Sequence, residues 1–143
     1  MGSRRQSFLR KKESEMACVV IVEDDKVTQK ILENALAQRN LEILIAEDGM
    51  KGLDLIQTRK PDIALVDMLI PKLHGVDLCK RIRQNSMLKD IKIILMSAVY
   101  QFSTFRMEIE DAEADFFINK PLDVSKLLQL VEEILGPAES PTG

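Results

Sequence analysis

Apolar residues in this chain gather into short runs. Cys18–Val22, Glu42–Ala46, Ile63–Val66, Ile91–Met96 and Asp115–Ile118 are each rich in Ile, Val, Leu or Phe. Nearly continuous apolar runs of this length predict strands buried on both faces. Between and after them the spacing becomes helical. Val27, Ile31, Leu32 and Ala35 form one stripe, and Val124, Leu127, Leu128, Val131 and Leu135 form another, both expected to pack on the sheet. Strand-like and helix-like stretches alternate five times, which implies a parallel sheet with helical crossovers. Asp48-Gly49 marks a turn, Lys60-Pro61-Asp62 leads into the third strand, and Gly136-Pro137 stops the last helix. The fourth helix falls in Tyr100–Glu113, where the pattern is weakest because aromatic and β-branched residues are mixed.

The composition fits one domain. The chain has 143 residues, 45% hydrophobic and 30% charged, which suits an enzyme and a binding module equally. The longest apolar run, Met16–Val22, has seven residues, whereas a membrane span needs about 20. Cys18 and Cys79, 61 positions apart, form no metal-type or redox-type pair. They read as reduced core thiols and point to a cytoplasmic location. Residues 1–17 carry Arg4, Arg5, Arg10, Lys11 and Lys12 against Glu13 and Glu15, a net +3 that leaves −6 for the remainder. Arg10-Lys11-Lys12 follows Phe8-Leu9 directly, so no signal-peptide apolar segment forms. The expected organisation is a basic flexible arm over 1–16, one domain over 17–136 and a flexible tail over 137–143. The methionines read as core filler.

In an open parallel sheet, ligands bind beyond the carboxyl ends of the strands. Four of the five predicted ends carry reactive groups: Glu23-Asp24-Asp25 comes after the first strand, the third ends on Asp67, the fourth on Ser97 and the fifth on Lys120, followed by Pro121. Any one of these is ordinary, since acidic residues often cap the next helix. Their recurrence at matching topological positions points to a site. Unit charges about 4 Å apart interact by roughly 4 kcal/mol at an effective dielectric near 20, so packed carboxylates call for a cation or a proton. Oxygen ligands without nearby His or Cys favour magnesium over zinc.

Val-Val-Ile-Val-Glu-Asp-Asp, Asp67 followed by Pro71 and Gly75, Met96-Ser97-Ala98, and Phe117-Ile118-Asn119-Lys120-Pro121 together resemble the bacterial response-regulator receiver family, with a likeness to the chemotaxis receiver. The resemblance covers about residues 17–136. It implies a flavodoxin-like (βα)5 three-layer sandwich, α/β, with a parallel five-stranded sheet in the order 2-1-3-4-5, the order known for the chemotaxis receiver. It also implies roles. Asp67 is the phosphoacceptor, Asp24 a direct magnesium ligand, Glu23 a ligand through water or a supporting group, and the Leu69 backbone carbonyl a further ligand. Asp25 is the ambiguous neighbour in the run of acids. Ser97 and Lys120 contact the phosphoryl oxygens, Ser97 and Phe117 form the switch, and the Lys120-Pro121 peptide is cis.

The implied partners are a sensor histidine kinase or phosphotransfer protein and a downstream protein target. A homodimer is left open, and neither direct nucleic-acid binding nor a membrane is expected. Tyr100, Phe102 and Phe105 are candidate output contacts, and apolar Leu69 and Val99 imply slow autodephosphorylation. The expected activity is that of a signalling switch, not of an enzyme with turnover. Two alternatives differ in class. A haloacid-dehalogenase-type phosphatase needs an acid two positions after its nucleophile, where Leu69 stands. A phosphorylation-independent interaction module would leave the same residues unused. The sequence departs from the family at Glu113-Ala114-Asp115, where Gly-Ala-Asp is usual.

Overall fold

The structure, a computed structural model, describes residues 16–98 and 106–137. Strands β1 (Ala17–Val22), β2 (Leu41–Ala46), β3 (Ile63–Asp67), β4 (Lys92–Ala98) and β5 (Phe116–Lys120) form one parallel sheet in the order β2-β1-β3-β4-β5. Helices α1 (Lys26–Leu36), α2 (Gly49–Arg59), α3 (Gly75–Gln84), α4 (Arg106–Asp111) and α5 (Val124–Leu135) connect and flank the strands. This is the expected flavodoxin-like order.

Alternation along each strand divides the core in two. Val20, Val22, Ala64, Val66, Ile93 and Leu95 face α2, α3 and α4, packing on Leu53, Ile56, Val76, Cys79, Ile82 and Ile109. Val19, Ile21, Ile63, Leu65, Ile94 and Met96 face the other side, against Leu32, Ala35 and Leu36 of α1 and Leu127 and Val131 of α5. Burying an aliphatic side chain of this size contributes about 1.5–3 kcal/mol, which is what draws both layers onto the sheet. The central strands β1, β3 and β4 are buried on both faces as their sequences predict, whereas the edge strands β2 and β5 are only partly covered.

Several expectations are corrected. On α1 the inward stripe is Leu32, Ala35 and Leu36, with Gln29 beside it. Val27 and Ile31 lie at 67% and 41% exposure, because about 100° of rotation per residue carries them past the sheet-facing stripe. Met68 and Met96 fill the core, but Met16, Met50, Met87 and Met107 are exposed. Ile91 and Asp115 lie outside the strands assigned to them, and Asp67, Ser97 and Lys120 lie at the ends of β3, β4 and β5. Asp48-Gly49 does more than turn the chain: the Asp48 carboxylate caps α2 by accepting from Lys51 N at 2.8 Å. Cys18 and Cys79 are buried free thiols, as expected, and burial pushes them up to about 11 and about 12. Among the described residues no helix is long and apolar enough to cross a membrane. The basic arm through residue 15 and Val99, Tyr100, Phe102 and Phe105 lie outside the described residues.

Candidate functional site

Strand register brings the candidate residues together. Val22 pairs with Val66, Asp67 with Met96 and Ala98 with Lys120, so Glu23, Asp67, Ser97 and Lys120 emerge along one edge of the sheet. The next turns then decide which acids face the cleft. Asp25 turns away to start α1, accepting from Thr28 N at 2.8 Å and from Thr28 Oγ1 at 2.6 Å. These bonds hold its carboxyl below the usual range. The ambiguity in the acidic run is thereby resolved: carboxylate oxygens of Glu23, Asp24 and Asp67 lie within 4.8 Å of one another.

The site is built around a buried acid. Glu23 has no exposed surface, accepts from Asp25 N at 3.0 Å and receives Lys120 Nζ at 2.8 Å. The same ammonium lies 3.2 Å from Asp67 Oδ2. Burial pushes the Glu23 and Asp67 carboxyls up, with Lys120 opposing the rise in both and the Leu69 backbone N–H also opposing it at Asp67. For Lys120, burial alone would lower the pKa, but Glu23 and Asp67 outweigh it and the net direction is up. Asp24 stays exposed at the mouth of the cleft. Three clustered carboxylates, two of them paired with the Lys120 ammonium, carry the charge for a cation, and an all-oxygen donor set of this kind fits magnesium.

Support from below is equally specific. Gly75 N donates to the Met68 carbonyl at 3.0 Å, and a Cβ on Gly75 would collide with the Asp67 carbonyl oxygen. A side chain there would displace the end of β3. Leu69 stands two residues beyond Asp67 and is 44% exposed. Ser97 is buried, and its hydroxyl donates to the Ala98 carbonyl at 3.1 Å with the Met68 thioether at 3.5 Å. Phe117, on β5, is 36% exposed. The Lys120-Pro121 peptide is cis, as the resemblance implied. His74 occupies the position before α3 and makes no side-chain cap, consistent with a loop residue.

Sequence reasoning missed Gln29, whose amide donates to the Glu23 carbonyl at 2.6 Å from a buried position on α1. Its only signal was a polar residue one turn after Asp25 on the inward side of the helix. It also missed Asp48 and Lys72, which pair at 3.6 Å beside the loop that follows Asp67.

Comparison with known proteins follows the same lines. The response regulator receiver domain profile matches residues 19–132. The chain is 34% identical over 131 residues to the transcriptional regulatory protein CseB of Streptomyces avermitilis, covering 90% of this chain and 54% of that protein. It is 29% identical over 126 residues to the response regulator MprA of Mycobacterium sp. (strain KMS), covering 86% of this chain and 54% of the relative. It thus spans about half the length of these curated relatives. A solved chain described as a response regulator from Chloroflexus aurantiacus superposes with a TM-score of 0.77 at 30% identity, covering 85% of this chain and 99% of that one. The receiver domain of a Pseudomonas aeruginosa sensor histidine kinase, solved with magnesium in its active-site cleft, shares the fold with a TM-score of 0.78 at 21% identity, covering 85% and 99%. Motif order, strand order and these likenesses agree: the chain belongs to the response regulator receiver domain family.

Proposed function

We propose that this domain is a magnesium-dependent phosphorylation switch in which Asp67 accepts a phosphoryl group from the phosphohistidine of a sensor histidine kinase or phosphotransfer protein. The observation that carries the reading is the shared ammonium: Lys120 Nζ at 2.8 Å from Glu23 and 3.2 Å from Asp67, beside a cluster of three carboxylates. In the transfer an Asp67 carboxylate oxygen forms a bond to phosphorus as the phosphorus–nitrogen bond breaks, and the donor imidazole recovers a proton. Glu23, Asp24, Asp67 and the Leu69 carbonyl would hold the magnesium ion, which supplies neutralisation of phosphoryl charge. Lys120 neutralises a further phosphoryl oxygen, and Glu23 keeps that ammonium in place.

Ser97 is proposed to exchange its bond to the Ala98 carbonyl for one to the phosphoryl group, and Phe117 to turn inward from its half-open position on β5. Charge-assisted hydrogen bonds contribute about 1.5–3 kcal/mol each, so bonds from Ser97 and Lys120 together approach the roughly 5.5 kcal/mol that swings a 1:99 equilibrium to 99:1. We read the domain as a switch without turnover, with slow loss of the phosphoryl group because Leu69 offers no group to orient water. A cytoplasmic location goes with this reading. The chemotaxis receiver of Vibrio cholerae shares the fold at 23% identity, but CseB, reported above, is a transcriptional regulatory protein, which favours an output that bears on transcription.

Acetyl phosphate in magnesium tests the proposal. The wild type should gain the mass of one phosphoryl group, Asp67→Asn none, and Lys120→Ala a reduced amount. Equal labelling of Asp67→Asn would sink the assignment.

A further inference from the structure

The loop over residues 68–74 carries Leu69 at its start and is seated at both ends. Its near end closes on Asp67 through the Gly75 N to Met68 carbonyl bond. Its far end rests on the first turn of α2. The leading N–H groups of a helix have no partner within it, and here Gly49 N donates to the Pro71 carbonyl at 2.9 Å, an oxygen that also accepts from Leu73 N at 2.8 Å. Lys72, at a φ of 70°, reaches back to Asp48 Oδ2 at 3.6 Å, while Asp48 Oδ1 caps Lys51 N. Asp48 is almost fully covered, with 7% of its side chain exposed. Gly49 leaves no spare space: a Cβ there would collide with the carbonyl oxygen and Cβ of Leu73. Helix α2 thus holds the far end of the loop that begins beside Asp67.

We propose that Asp48-Gly49 is the positioning element of the metal-binding loop, with Gly49 setting magnesium affinity through Pro71 and Leu73 without touching the ion. The inference rests on the functional reading above, in which the Leu69 carbonyl is a ligand. Adding a methyl at Gly49 must push Leu73 outward, and Pro71 shares its carbonyl between Gly49 and Leu73, so the shift passes up the loop toward Leu69. Nearby residues that support metal ligands change metal affinity about 10–100-fold when altered.

A magnesium titration of the full chain, followed by amide NMR shifts around Asp67, tests this directly. Gly49→Ala should raise the magnesium Kd about 10-fold, the lower end of that range. Asp48→Asn keeps a helix cap but loses the Lys72 ion pair, and should raise it by roughly 2-fold to 3-fold, well below that range. Leu36→Ala, in the core face of α1, should lower stability to a similar degree without moving Kd, which separates positioning from general loosening. Wild-type affinity in folded Gly49→Ala, with binding intact in the wild type, overturns the inference alone. If Gly49→Ala does not fold, an unchanged Kd in Asp48→Asn overturns it instead. A wild type that binds no magnesium overturns the functional reading and this inference with it.

Discussion

At the carboxyl end of the sheet, Glu23, Asp24 and Asp67 cluster, and the Lys120 ammonium pairs with Glu23 and Asp67. At the opposite end the Arg83 guanidinium is met on every side. It donates to the carbonyls of Glu113 at 2.9 Å, Lys89 at 3.0 Å and Ile91 at 2.8 Å, and to Asp115 Oδ2 at 2.5 Å. Asp115 in turn accepts from Ile93 N at 2.8 Å. Both regions place charge beside the core, but only one balances it. The Arg83 cluster joins α3 to the turns before β4 and β5 and asks for no further ligand. The Glu23 cluster holds like charges together, and the fold carries a cost that a cation can relieve. The difference teaches where stability and function separate: satisfied charge fixes the frame, and unsatisfied charge is what a ligand can act on.

Three changes test that contrast. The largest effect is expected at the satisfied end. Arg83→Ala leaves Asp115 and three carbonyls short of a donor in a half-buried setting and should cost roughly 3 kcal/mol in urea unfolding, the low end for breaking a buried pair. The magnesium Kd should not move. A loss below about 0.5 kcal/mol, the usual limit for plain surface changes, would mean that the cluster is ornamental.

Asp67→Asn should act in the opposite direction. Removing one of three packed carboxylates should stabilise the magnesium-free protein at neutral pH by about 1–2 kcal/mol, a fraction of the roughly 4 kcal/mol between unit charges 4 Å apart at an effective dielectric near 20. The sign follows from the raised Asp67 pKa. A group raised in the folded state contributes stability that is fully present below its unfolded pKa and is lost as pH rises through the folded one. The gain from Asp67→Asn should therefore shrink in acid, and magnesium should narrow it at neutral pH by stabilising the wild type. Thermal melts across pH, with and without magnesium, check both; a variant less stable than wild type at every pH would break the contrast.

The smallest expected effect belongs to Glu113, which sits at a φ of 56° while its carbonyl is held by Arg83. Glycine adopts that conformation without strain, so Glu113→Gly should raise stability by about 0.5–1 kcal/mol. Combined with Arg83→Ala the gain should persist, since the strain is local to the backbone.

Legibility differed between the parts for physical reasons. The buried central strands showed as unbroken Val, Ile and Leu because both faces need apolar groups, and residues at their ends named the site. The α1 stripe misled, since Val27 and Ile31 satisfy helical spacing yet lie outside the buried arc. Methionine was equally uninformative, being compatible with both the core positions of Met68 and Met96 and the exposed positions of Met50 and Met107. Glu113 stood out from the family pattern in sequence, but its backbone conformation, and therefore its cost, had no sequence signal of its own.

By itself, then, the sequence determined the order of elements and the sheet type, and it placed the run Glu23-Asp24-Asp25 together with Asp67, Ser97 and Lys120 at strand ends, because burial and strand-end chemistry are written locally. Tertiary structure alone decided that Asp25 caps α1 while Asp24 faces the cleft, that Phe117 stands half-open, and that Gln29 holds the Glu23 backbone. It alone also seated the loop after Asp67 on Gly49. Each of these depends on contacts between segments distant in sequence or on the direction of a turn, and neither is encoded in the period of apolar residues.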